Sequence, residues 1–115
     1  MRVRGLAAAR VVAALCSASA ANATSFDCKP YVRARACPEI VICQTPGLSA
    51  KDMDLANTYI QVKGGLADAA EGRRLKQQQL DWLGHRDACR CNAECISDEY
   101  DIRSIELFRI LNIGQ

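Results

Sequence analysis

The 115-residue sequence predicts an all-α fold, a small helical hairpin or bundle stapled by disulfides. Three observations carry that prediction. Apolar residues recur at helical intervals in three separate stretches. The cysteine count becomes even once the apolar start of the chain is set aside. What then remains is one small domain, in which burial alone gives marginal stability and cross-links add to it.

The chain opens with Arg2, Arg4 and Arg10, then runs VVAALCSASAANA and stays uncharged until Asp27. A basic start, an apolar middle and small residues before a cut are the layout of a secretory signal. Ala21-Asn22-Ala23 is the preferred Ala-x-Ala site, with Ala18-Ser19-Ala20 as the alternative, and both cuts remove Cys16. The run from Val11 falls short of the roughly 20 apolar residues of a spanning helix. Leu15 stands where a lipidated Cys16 would need a small residue before it. Residues 1–23 are therefore expected to be a signal peptide and 24–115 one periplasmic or secreted domain, with no stable membrane anchor after cleavage. Removing 23 residues from 115 leaves 92, and losing three arginines takes the basic count from 15 to 12 against 13 acids. The net charge moves from +2 to about −1, which lacks the basic excess of nucleic-acid-binding domains.

Behind the signal, TSFDCKPYVRARACPEIVIC reads as an irregular segment turning into one short helix, with Pro38 in its first turn and Glu39 at the positive end of its dipole. The β-branched Ile40-Val41-Ile42 keeps a short strand open as a rival. A longer helix follows, capped by Thr45 before Pro46, or by Ser49 one turn later. Its stripe is Leu48, Leu55, Tyr59, Val62 and Leu66. GGLADAAEG, through Gly72, reads as the turn region. The next stripe is Leu75, Gln79, Trp82, Leu83 and Arg86, and the last is Ile96, Tyr100, Arg103 and Leu107.

The stretch HRDACRCNAEC, from His85 to Cys95, poses a choice between a metal nest and disulfide halves. His85 with Cys89, Cys91 and Cys95 has ligand types that suit zinc. The spacing, however, is not that of paired Cys-x-x-Cys knuckles, and export favours S–S bonds. Neither a redox Cys-x-x-Cys nor a haem Cys-x-x-Cys-His is present, and no metal or other cofactor is expected. Six cysteines allow 15 pairings. The layout favours Cys89 with Cys95 across a helix junction and Cys28 with Cys43 at the start, which leaves Cys37 with Cys91.

These residues also carry a family resemblance. FDC after the signal, Glu39-Ile40-Val41-Ile42-Cys43, then Leu48, Asp52, Leu55 and Tyr59, resemble the start of the LprI-type lysozyme inhibitor domain. QLDWLGHRDAC supplies a Gln-x-x-Trp-Leu-x-x-Arg-Asp-x-Cys pattern as Gln79, Trp82, Leu83, Arg86, Asp87 and Cys89, and Cys95, Ile96, Tyr100, Arg103, Ile105 and Leu107 are similar to its close. The resemblance runs from Phe26 to about Leu107, with two departures. Lys51 stands where the family usually has leucine, and Cys37 and Cys91 exceed its usual four cysteines. The resemblance implies a small helical secreted or periplasmic bacterial protein, non-enzymatic, with lysozyme as partner for some members.

Lysozyme works with two carboxylates in its cleft, so the expected contacts are exposed cations, namely Arg73, Arg74, Lys76 and Arg90. Trp82 and Tyr59 are expected in the core. Asp52 is expected to pair with Arg86 or Arg103, while Arg86 and Asp87, adjacent on a helix, are expected to find separate partners. His85 is expected at a solvated edge. Two alternatives stand beside inhibition: a cell-envelope binding or stress module with a different partner, and a periplasmic metal-binding Cys/His protein with free thiols.

Overall fold

The computed structural model describes residues 24–113; the expected signal segment, 1–23, and residues 114–115 lie outside them. The three apolar stripes become three long helices, α3 (Pro46–Gly64), α4 (Ala69–Ala88) and α5 (Ala93–Ile113), preceded by two short ones, α1 (Lys29–Ala34) and α2 (Glu39–Gln44). The described residues contain no strand. The segment read as irregular before Cys37 holds α1, with Pro30 in its first turn.

Local chemistry explains the boundaries. Thr45 caps α3 in an extended conformation with Pro46 behind it, and its carbonyl accepts the N–H groups of Leu48 and Ser49, both at 2.9 Å. Ser49 is therefore inside α3, where its hydroxyl donates to the Ile42 carbonyl at 2.6 Å. That bond satisfies an end carbonyl of α2 and, with Ile42 fully buried, holds Ile40–Ile42 as helix instead of the rival strand. Helix α4 starts earlier than its Lys/Gln run suggests. Asp68 Oδ1 accepts the Glu71 N–H at 2.8 Å, and Glu71 Oε2 accepts the Ala67 N–H at 3.3 Å. This reciprocal cap places Gly72 within α4, not in the turn.

Helix α5 is the common partner of the long helices. It packs most extensively on α3 and also on α4, whereas α3 and α4 approach each other only slightly. The predicted all-α bundle stapled by disulfides is present, and its long helices form a wedge of α3 and α4 closed by α5. The reason lies in the stripe of α5, where Ile96, Tyr100 and Leu107 are fully buried and Arg103 nearly so. Leu48, Leu55 and Val62 meet it from α3, and Leu75 and Trp82 from α4. Trp82 is core as expected, while Tyr59 is only half-buried at the edge.

Three disulfides staple the helices: Cys28–Cys43, Cys37–Cys91 and Cys89–Cys95, with Cα–Cα distances of 6.0, 5.1 and 5.5 Å. These are the pairs that the layout favours. The sequence separations are 15, 54 and 6 residues, which by loop-closure entropy correspond to about 3, 4 and 2 kcal/mol. Cys37 and Cys91 close the longest loop. Three disulfides in so small a domain fit an oxidising, extracytoplasmic environment. No helix among the described residues is long and apolar enough to cross a membrane.

Candidate functional site

The wedge between α3 and α4 holds a cleft of about 280 Å³ whose lining includes Glu39, Asp52, Gln79, Trp82 and Arg86. Five of the nine motif residues, from three helices, thus share one cavity. Tyr100 lies beneath it, fully buried on α5.

The polar groups of the cleft are bonded to one another in a chain. Tyr100 Oη donates to Asp52 Oδ1 at 2.8 Å and accepts from Arg86 Nη1 at 3.3 Å. Asp52 Oδ2 accepts the Ser25 N–H at 2.6 Å, which ties the start of the domain to α3. Arg86 Nη2 reaches Glu39 Oε2 of α2 at 3.1 Å. The guanidinium also folds back on Asp87, with Nε at 3.1 Å and Nη2 at 2.9 Å from Oδ1. Two expectations are corrected here. Asp52 forms no direct ion pair with Arg86 or Arg103; the Tyr100 hydroxyl stands between Asp52 and Arg86. Arg86 and Asp87 do pair, because the long arginine side chain returns over its neighbour although their Cβ atoms diverge.

Aromatic packing fixes this chain. The Trp82 ring meets Tyr100 edge-on at 5.1 Å between centroids, its Nε1 donates to the Glu99 carbonyl at 2.9 Å, and the Arg86 guanidinium sits 6.0 Å from the Trp82 ring centre. Burial and the adjacent Asp52 carboxylate push the Tyr100 phenol well above its ordinary range, against the opposing pull of Arg86. Burial works against the Arg86 charge, but Tyr100 and Asp87 outweigh it and raise the guanidinium pKa above its ordinary value. Neither group exchanges a proton near neutral pH, so the arrangement acts as a lock on four helices.

The other motif residues border the same cluster. Arg103 Nε donates to Gln79 Oε1 at 2.8 Å and its Nη1 lies 3.4 Å from Glu106, while its buried Nη2 has no hydrogen-bond partner among the described residues. Tyr59 lines an adjoining groove of about 380 Å³ with Ile60, Lys76, Gln79 and Leu80. Gln79 and Ala56 line both cavities, so cleft and groove adjoin. Ile60 and Leu80 stand 65% and 51% exposed there.

The four candidate contact cations separate. Arg73, Arg74 and Lys76 are exposed on the first turns of α4. Arg90 is exposed beyond the far end of that helix, at a left-handed φ of 54°. None of the four is within ion-pair distance of an acid among the described residues. Lys51 reaches across to Asp101 of α5 at 2.6 Å, both side chains being substantially exposed. His85 is exposed, on a separate groove between α4 and α5.

The HRDACRCNAEC cluster does not converge on one point, because Cys89 pairs with Cys95 while Cys91 pairs with Cys37. Its thiols are consumed, and it forms no zinc ligand set. The Ser25–Asp52 tie and the role of Tyr100 as intermediary carried no sequence signal: the partners lie 27 and 48 residues apart. The Asp68 cap did carry one, as Asp-x-x-Glu ahead of a helix-forming run. Comparison of the chain with protein-family models, curated proteins and solved structures finds no match.

Proposed function

We propose that this is an exported, non-enzymatic protein that binds and blocks a lysozyme, using the start of α4 and the groove beside it. The observation carrying this reading is the juxtaposition of Lys76 with exposed Ile60 and Leu80 in the groove, with Arg73 and Arg74, which have no ion pair among the described residues, on the same turns. A protein that closes a cleft containing two catalytic carboxylates needs an available cation and an apolar surface that excludes water around it. The ordered motif from Phe26 to Leu107 supports the same reading through the family it resembles. Arg86 is not the contact in this account, since Glu39, Asp87 and Tyr100 already surround it. Arg90, at the other end of α4, is outside the face. The metal-handling alternative requires free thiols, and Cys28, Cys37, Cys43, Cys89, Cys91 and Cys95 are all in disulfides.

The test is lysis of a peptidoglycan suspension by hen-type, goose-type and invertebrate-type lysozymes, with and without the purified mature protein. Dose-dependent protection against one type is the expected result. No protection by the folded, fully oxidised protein would refute lysozyme as the target and direct attention to another envelope partner.

A further inference from the structure

The outward face of α5 is independent of the binding face and carries its own pattern. Ile102, Ile105 and Phe108 are 51%, 53% and 51% exposed, on the side of α5 turned away from its buried stripe of Tyr100, Arg103 and Leu107. The charged residues on that face are Asp98, Asp101 and Arg109; Ile102 and Arg109 also border the groove between α4 and α5, and Asp98 lies seven residues from Ile105, level with Asn112 on the other side of it. Arg109 has no ion pair among the described residues. Asp101 uses Oδ1 for Lys51, and its other oxygen accepts no hydrogen bond among the described residues.

The pattern is self-complementary about Ile105. Three residues to one side is Ile102, and three to the other is Phe108; four to one side is Asp101, and four to the other is Arg109. An antiparallel pair of identical helices related by a two-fold axis at one residue sets each position against its mirror-numbered counterpart. With the axis at Ile105, Ile102 of one copy covers Phe108 of the other, and Asp101 meets Arg109, twice in each interface. A parallel pairing would instead oppose Asp101 to Asp101 and Arg109 to Arg109.

We propose that α5 is a homodimerisation helix, and that its occupant is the α5 of a second copy of this chain, antiparallel and centred on Ile105. Burying three large apolar side chains from each copy supplies the attraction, and the paired charges fix the direction. One helix face is smaller than the roughly 800 Å² per partner of a standard interface, so the dimer forms in a concentration-dependent equilibrium.

Sedimentation velocity on the oxidised mature protein, across the micromolar to millimolar range, tests this. The wild type is expected to pass from monomer to dimer. Because each charge pair occurs twice, Arg109→Asp weakens association about tenfold or more, and the double variant Asp101→Arg/Arg109→Asp recovers it. As a second readout, Ile105→Cys is expected to give a covalent dimer on mild oxidation, while Ile60→Cys, at least as exposed, gives far less. A wild type that stays monomeric throughout, or a double variant no better than Arg109→Asp, overturns the proposal. Equal cross-linking at residues 60 and 105 overturns it as well.

Discussion

The two ends of α4 differ in what their cations do. At the C-terminal end Arg86 is 6% exposed and held by Glu39, Asp87 and Tyr100 at 2.9–3.3 Å. At the N-terminal end Arg73, Arg74 and Lys76 are exposed and have no acidic partner among the described residues. The same helix thus supplies one arginine to the interior and three cations to solvent. The residue most prominent in the sequence pattern is thus engaged with its own fold, and the charge left available to a partner lies in a stretch outside that pattern.

The comparison breaks most visibly at Arg86. Arg86→Met leaves Glu39 and the Tyr100–Asp52 pair without their cation, and the expected loss is about 3 kcal/mol, read from the urea midpoint. A loss near zero would mean the arginine is not structural. Tyr100→Phe removes the hydroxyl that joins Asp52 to Arg86, and about 2 kcal/mol is expected from two buried groups losing a partner.

The raised Tyr100 pKa adds a pH signature. The folded state keeps the phenolic proton where the unfolded chain releases it, so the contribution is fully present below the unfolded value of about 10 and is lost as pH rises above it. The stability gap between wild type and Tyr100→Phe should therefore narrow on going above about pH 10. A gap that widens instead would give the shift the wrong sign.

At the other end of the helix the effects fall on binding. The triple variant Arg73→Glu/Arg74→Glu/Lys76→Glu should change stability by about 0.5 kcal/mol or less, while raising the concentration needed for half-protection at least about tenfold. Arg90→Glu, which shares the exposure but not the location, should alter neither quantity measurably.

How much of this was legible follows physical lines. The long helices were readable because each has an apolar stripe of period 3.6, from Leu48 to Val62 and from Ile96 to Leu107. The disulfide pairs were suggested by layout, since Cys89 and Cys95 bracket a helix junction. The pairing of helices was not readable: a stripe specifies that a face is buried, not by which neighbour, and only the fold shows that α5 packs on both α3 and α4. The network around Arg86 was half legible. Its members stand in the motif, but Tyr100 bridges residues 48 and 14 positions away, and only the three-dimensional path of α5 brings its hydroxyl between them. The return of Arg86 onto Asp87 was misread because helical spacing describes Cβ positions, not the reach of a long side chain.

The most direct test of the account compares wild type, the Arg73/Arg74/Lys76 reversal and Arg86→Met in one peptidoglycan lysis assay, at a temperature where all three are folded. The account predicts that wild type and Arg86→Met protect the suspension with similar potency and that the triple reversal does not. Retained protection by the reversal, with protection lost in folded Arg86→Met, would contradict it and make the buried arginine the contact after all.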